Sequence, residues 1–399
     1  MTEQPRPAGR PKIDRDIDWT LLAPLLVHVT VTHVAVLVVR VTVSYRTIEL
    51  GLPAVWLGVI SASFAILPVF TALRIGRYID RGHDAHAAWI GSVLTLISAV
   101  ALWAWPGSAI HLLAFTILLG TGHMFLMAAQ QMLCVRSASE RGREIAFGHY
   151  MVAVSIGQGL GPFLVGWVGG GVTVPATPPL FTVGVITAVL CMGVALTVRP
   201  AAQQVKAADG STVPLAALLR RPGMAAVLAA SVVTVTASDL LVIYLPLLGA
   251  ERDIEASHIG LLLTVRSIAA LVARLFYARL IQAVGRLPLT LVSTLVGAAA
   301  FALMAVPSLP VMYAASVAIG VGIGIASTLT ISGMVAVAPR EARATAMTLR
   351  ITGNRLGLVL MPLVAGLIAA ATGVAGILLL LAGSLTACAV GMRASRAPS

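Results

Sequence analysis

Residues 19–44 read WTLLAPLLVHVTVTHVAVLVVRVTVS, and this stretch decides the class of fold. As a helix it is long enough to cross roughly 30 Å of hydrocarbon, and Arg40 is the only formal charge in it apart from the histidines. Lipid offers no hydrogen-bond partners to a bare backbone, so such a span is either a helix or a strand of a closed barrel. Apolar and polar residues do not alternate here, which removes the barrel. Similar stretches follow at 53–75, 87–105, 109–133, 145–168, 179–198, 223–248, 257–278, 287–306, 309–337, 344–371 and 373–392. Across 399 residues, 58% are hydrophobic, 11% are charged and the mean hydropathy is +0.96. That is too little charge to cover a soluble protein of this length. The expectation is an all-α membrane protein with 12 transmembrane helices.

One long polar interval, 199–222, separates the sixth and seventh spans, and it is too short to bury a core of its own. The expected organisation is therefore a tail (1–18), a six-helix bundle (19–198), a linker (199–222), a second bundle (223–392) and a short tail (393–399). The net charge of +12 does not indicate nucleic-acid binding, because the basic residues form no patch and collect in alternate loops. With the N-terminus placed in the cytoplasm, 19 of the 27 Lys and Arg lie in cytoplasmic segments, and only Arg46 and Arg252 in the opposite loops. Both termini are thus expected inside. Of the 27, only Lys12 and Lys206 are lysines, a usage pointing to a GC-rich bacterium and hence its cytoplasmic (inner) membrane. Cys134, Cys191 and Cys388 are expected to be reduced, and no cleavable signal is apparent ahead of the first span.

The chain also repeats itself. A shift of 200 brings Gly120 and Gly122 onto Gly320 and Gly322, Arg143 onto Arg343, and Gly157, Pro162 and Gly166 onto Gly357, Pro362 and Gly366. A shift of 202 brings Gly58 onto Gly260 and Arg77 onto Arg279. Two parallel six-helix halves are an architecture of transporters, with the solute site between them.

Two motifs resemble the major facilitator superfamily, and the resemblance covers nearly the whole chain. The loop read after the second span is Gly76-Arg77-Tyr78-Ile79-Asp80-Arg81-Gly82, similar to that family's Gly-x-x-x-Asp-Arg-x-Gly-Arg signature, with His83-Asp84 in place of the final Gly-Arg. The second half keeps Gly285-Arg286 but has Gln282 where the aspartate belongs. The resemblance implies that Gly76, Arg77, Asp80 and Arg81 form an inner gate, with Asp80 carrying it alone. The fifth span holds Gly148, Gly157, Gly161, Pro162 and Gly166 in the spacing of the family's antiporter motif, Val165 being the departure. By resemblance this favours efflux. A third motif is missing: Thr116 and Leu119 stand where an arginine and a glutamine are expected.

Ionisable groups inside a span are costly unless paired or hydrated, which makes them functional candidates. His33 and Arg40 share a stripe of the first span. Asp239 in the seventh is the one carboxylate well inside any span, and the repeat places it level with Arg40. Since the family's first and seventh helices face each other near the outer mouth, Arg40 and Asp239 are expected to pair there and to part when Asp239 is protonated. Arg266, Arg355 and Asn354 lie near the midplane, giving three cations against one carboxylate and room for an anionic solute. His123 and Gln130 share a stripe of the fourth span and are expected to line the cavity. His28 and His33 lie too far apart around their helix to share a metal. No phosphate-binding loop, nucleophile motif or haem ligand pair is present, so neither an ATP-driven pump nor a membrane enzyme is expected, and no cofactor or metal. The expected function is alternating-access transport of a small organic solute by a monomer in the lipid bilayer, as proton-coupled efflux of drugs or metabolites. The alternative is proton-coupled uptake of a small organic anion.

Overall fold

The computed structural model describes residues 16–200, 218–221, 223–339 and 342–394; most of the linker and both tails fall outside them. The described chain is helical throughout: α1 (Trp19–Glu49), α2 (Ala54–Asp80), α3 (Asp84–Ala104), α4 (Ala109–Arg136), α5 (Arg143–Gly169), α6 (Thr177–Ala195), α7 (Met224–Glu251), α8 (Ala256–Leu275), α9 (Arg286–Met304) and α10 (Leu309–Val337). A last helical run, Arg343–Ala394, has 52 residues. Unbroken, it would measure about 78 Å, more than twice the hydrocarbon thickness. Gly373 divides it. Its φ of 69° and ψ of −177° are open only to glycine without strain, and the next N–H, that of Val374, donates to the Glu251 carboxylate. The run is therefore α11 (343–372) and α12 (374–394), and the fold is twelve transmembrane helices in two pseudo-symmetric bundles. An even number of crossings returns the chain to the side on which α1 begins. That side, with Arg81, Arg136, Arg141, Arg279 and Arg393, is called the arginine-rich face below.

Two boundaries differ from the sequence reading. Helix α2 continues to Asp80, so Gly76 and Arg77 belong to its last turns and not to a loop. The eighth span ends at Leu275, and a short helix, Tyr277–Val284, follows. Its apolar residues Tyr277, Leu280 and Ile281 pack on Ala273, Leu289, Ile325 and Leu329.

The two halves share one large apolar core, in which Val34, Val41 and Tyr45 of α1 meet Leu240, Tyr244 and Leu248 of α7, together with Ile259 and Leu262 of α8. The other clusters each belong to a single half. Ile17, Leu22, Ile79, Leu133 and Tyr150 form one towards the arginine-rich face, and Leu218, Met224, Met334 and Ala346 form its counterpart in the second half. Helices α1 and α7 pack on each other, whereas their counterparts α4 and α10 make no comparable contact. The protein is thus closed towards the opposite face.

Two crossings that obey the internal repeat join the halves. In one, α5 meets α8: a Cβ added to Gly260 would lie 2.5 Å from the Pro162 carbonyl oxygen, and one added to Gly166 would lie 2.9 Å from the Gly260 Cα. In the other, α11 meets α2: a Cβ on Gly58 would lie 2.2 Å from the Pro362 carbonyl oxygen, and one on Gly366 would lie 3.1 Å from the Val55 Cα. Backbone meets backbone because glycine leaves no side chain between the helices. Gly157 and Gly161 do the same for α5 against α1, facing Thr30, His33, Val34 and Leu37. Gly148, by contrast, faces open space.

The loops of the opposite face repeat as well. Arg46 donates from Nε to the Pro106 carbonyl, and Arg252 donates to the carbonyls of Met304, Ala305 and Val306. On the arginine-rich face, Arg136 at the end of α4 donates to Asp84 at the start of α3 over 2.6 Å, with side chains 3% and 1% exposed.

Overpacking a close crossing costs about 1–3 kcal/mol. Gly260→Val and Gly58→Val are each expected to lower the melting temperature of the detergent-solubilised protein, and Gly148→Val to leave it unchanged. Arg136→Ala leaves Asp84 buried without its cation, a loss of about 3–5 kcal/mol that the same measurement reads as a failure to fold stably.

Candidate functional site

Set within the shared apolar core, side chains from six helices converge on one polar cluster. Arg40 of α1 grips Asp239 of α7 in two parallel bonds, NH1 to Oδ1 at 2.5 Å and NH2 to Oδ2 at 2.9 Å. The side chains are 10% and 17% exposed, which places the pair between lipid-like and aqueous surroundings. The Arg40 guanidinium also stands over the Phe64 ring of α2, 4.4 Å from its centroid, where the ring quadrupole attracts a cation. Phe64 in turn lies against His123 of α4, with centroids 5.4 Å apart, and His123 meets His33 edge-on at 5.8 Å. From the second half, Arg266 of α8 donates to the Ser238 hydroxyl over 2.6 Å. Arg266 and Arg355 of α11 both lie near enough to Asp239 to feel its charge, and His123 feels those of Arg40 and Arg355.

The charge in this cluster is unbalanced. Three guanidiniums, Arg40, Arg266 and Arg355, stand against one carboxylate, Asp239, which Arg40 holds while Arg266 donates to Ser238; Arg274, lower on α8, donates to the Ser155 hydroxyl of α5 and not to an acid. Asn354 accepts from Ser231 of α7, so its place is a contact between α11 and α7 beside the cluster.

The histidines differ in what their hydrogen bonds leave free. The Gln130 amide donates to His28 Nδ1, which makes that nitrogen an acceptor, and His28 Nε2–H then donates to Ser92, whose hydroxyl donates to the Ala88 carbonyl. His28 is fully used. His33 donates from Nδ1 to the Val29 carbonyl, which leaves Nε2 as an acceptor. His123 has both ring nitrogens shielded from solvent and bonded to nothing.

Gln130 does not line the cavity. It is wholly buried inside the first half, where it also donates to Thr32, and the Thr32 hydroxyl contacts the Cys191 thiol. The helical stripe shared with His123 is real, but Gln130 is spent on His28 and Thr32 of α1. All three cysteines are free. Among the described residues no group of three or more His, Cys, Asp or Glu is placed to hold a metal.

Gly76, Arg77, Asp80 and Arg81 sit together at the end of α2 on the arginine-rich face. Asp80 is exposed and joins no ion pair among the described residues. The buried carboxylate of this corner is Asp84, which the sequence reading met only as a departure from a motif. Phe64 and Ser238 were also missed there. An aromatic or a serine inside an apolar span looks like ordinary packing until a guanidinium is seen against it.

The profile of the Major Facilitator Superfamily matches residues 16–255 and 227–398. No curated protein matches the sequence. Among solved structures, the chain is similar to the nucleoside transporter NupG in a mutant form, at 15% identity over 94% of this chain and 100% of that one, with a TM-score of 0.80. It is similar to a D-xylose–proton symporter at 14% identity over 94% and 97%, with a TM-score of 0.76. A bacterial homologue of the human lysosomal transporter Spinster, crystallised inward-facing and occupied, matches at 17% identity over 97% and 96%, with a TM-score of 0.69. Twelve helices in two repeated bundles, closed on one face around a buried charged cluster, together with a profile match along the whole chain, make this protein a member of the Major Facilitator Superfamily, a transporter of small solutes.

Proposed function

We propose that this transporter carries a small organic anion together with a proton, and the single observation behind this is a cluster of three guanidiniums, Arg40, Arg266 and Arg355, with one carboxylate, Asp239, which Arg40 holds. An anion entering the cluster competes with Asp239 for Arg40, Arg266 and Arg355, since guanidinium pairs well with any carboxylate or phosphate. When Arg40 turns to the solute, Asp239 is left in a poorly solvated place without its partner, and such a carboxylate takes up a proton. The linkage is reciprocal: the proton on Asp239 frees Arg40 for the anion, so proton and anion favour each other's binding. Ligands that bind together travel together, which is symport. An antiporter instead needs solute and proton to exclude each other, as a cation competing for Asp239 would.

The Arg40–Asp239 pair, set within the apolar core that the halves share, acts as the latch of the closed face. Its release lets α1 and α7 part while the glycine crossings of α5 with α8 and α2 with α11 serve as pivots. Asp80, exposed on the other face, is available to the inner gate when that side closes. Export is the reading that the fifth-helix pattern supports by resemblance. Gly157, Gly161, Pro162 and Gly166, however, are accounted for by packing against α1 and α8, and Pro362 and Gly366 repeat the crossing in the second half. The charge balance therefore supports uptake better.

The distribution of Lys and Arg supports placing the arginine-rich face in the cytoplasm of a bacterium, with both termini and the linker inside. The protein then acts as a monomer of two bundles, 19–198 and 223–392, joined at 199–222.

In proteoliposomes, acidifying the outside is expected to drive uptake of organic anions and to raise their apparent affinity about 5- to 150-fold, the usual span of a coupling of 1–3 kcal/mol. Asp239→Asn mimics the protonated acid and is expected to exchange anions without responding to the pH gradient; retention of pH-driven accumulation in that variant overturns the scheme. Arg40→Gln is expected to weaken transport and to lower thermal stability, because it strands Asp239, and adding Asp239→Asn is expected to recover the stability but not the coupling.

A further inference from the structure

Resting on the anion reading, we propose that His123 and His33 form a second half of the substrate site, which recognises a neutral hydrogen-bonding group, so that the substrate is a hydroxy or oxo acid and not a plain carboxylate. His123 is the reason. Its two ring nitrogens are shielded from solvent and without partners in the centre of the bundle. A buried polar group left in that condition costs about 1–3 kcal/mol, so natural structures nearly always supply a partner. His28, also interior to this half, shows the rule at work, since both its nitrogens are bonded. Among the described residues no side chain bonds His123, although Phe64 and His33 hold its ring on two sides.

What the pair offers can be stated atom by atom. The carbonyl of Val29 takes the Nδ1 proton of His33, so His33 Nε2 is an acceptor. A neutral His123 presents one N–H donor and one acceptor nitrogen. Two acceptors and a donor, set beside an aromatic ring, suit a hydroxyl group, which donates once and accepts once, or a carbonyl that accepts the His123 N–H. They do not suit a second carboxylate, which has no proton to give. The cations are placed otherwise. Arg266 and Arg355 belong to the second half, and Arg40, above, is engaged with Asp239. The imidazoles and Phe64 of the first half, with Arg40 over the Phe64 ring, thus face the guanidiniums of Arg266 and Arg355 on the second half. A substrate with a carboxylate at one end and a hydroxyl or oxo group at the other bridges the two bundles. Binding such a molecule draws the halves together, whereas a plain acid leaves the imidazoles without a partner.

The test uses matched pairs of acids differing by one hydroxyl: lactate with propionate, and malate with succinate. Their binding to the solubilised full-length protein is read as a shift in melting temperature over a concentration series. The wild type is expected to prefer the hydroxylated member of at least one pair by roughly 10-fold, the order set by one hydrogen bond and one stranded imidazole. His123→Phe keeps a ring against Phe64 and is expected to erase that preference while still binding the plain acid. His123→Asn, which restores a donor and an acceptor, is expected to recover part of it. His33→Phe provides a second reading should the first variant fold poorly. Arg355→Gln is expected to weaken both members of a pair equally. Equal binding of hydroxylated and plain acids by the wild type, or a preference that survives both histidine substitutions, overturns the subsite and leaves the anion reading standing. Binding of none of the four acids removes the anion reading, and the subsite with it.

Discussion

Two backbone-to-backbone crossings carry the architecture. At Gly260 with Pro162, and at Gly58 with Pro362, the halves approach so closely that even a methyl group would collide with a carbonyl oxygen. In lipid there is no hydrophobic force to press helices together, and association depends on dispersion between surfaces that fit. Close glycine crossings maximise that term in a small area, so they hold two bundles together without locking them along their whole length. The internal repeat makes the two crossings equivalent and places them on either side of the central cluster, which is where pivots for a rocking motion need to be.

The polar cluster between the pivots is expensive, and its arrangement shows how the expense is contained. Arg40 and Asp239 satisfy each other in two parallel bonds, and Arg266 finds the Ser238 hydroxyl. These bonds cross between α1 and α7 or tie α8 to α7, so the same interactions that make buried charge tolerable also join the elements that move. In the proposed scheme, a proton or an anion that alters one of them alters the packing of α1 on α7. That is a direct physical link between binding and opening, and it needs no signal carried over distance.

The first half is stiffened by a different device. His28, Gln130, Thr32, Ser92 and Cys191 connect α1, α3, α4 and α6 through a buried polar network, and Asp84 with Arg136 closes α3 on α4 at the arginine-rich face. Such networks favour one arrangement of helices over its neighbours, because a shifted helix would leave several polar groups without partners at once. The network leaves His33 and His123 at its edge, facing the gap.

The amino-acid sequence by itself determined the membrane class, the twelve spans to within a few residues, and the duplication. Hydropathy, the count of charges inside spans and the spacing of glycines are properties of the chain that no packing can change. It also pointed to Arg40 and Asp239, because a shift of the repeat places them at one depth and two opposite charges in lipid have few other options. Tertiary structure alone decided the rest. Gln130 and His123 lie on one stripe of α4 and both meet α1, yet two turns apart they meet different side chains: Gln130 is wrapped among His28 and Thr32 inside the first half, whereas His123 lies against His33 and Phe64 beside the charged cluster. Asp84 looked like a flaw in a motif until α4 brought Arg136 against it. Gly157, Gly161 and Gly166 of α5, which by resemblance suggested a direction of transport, are points of contact, while Gly148 of the same pattern faces open space, because only the folded chain shows which backbone a missing side chain makes room for.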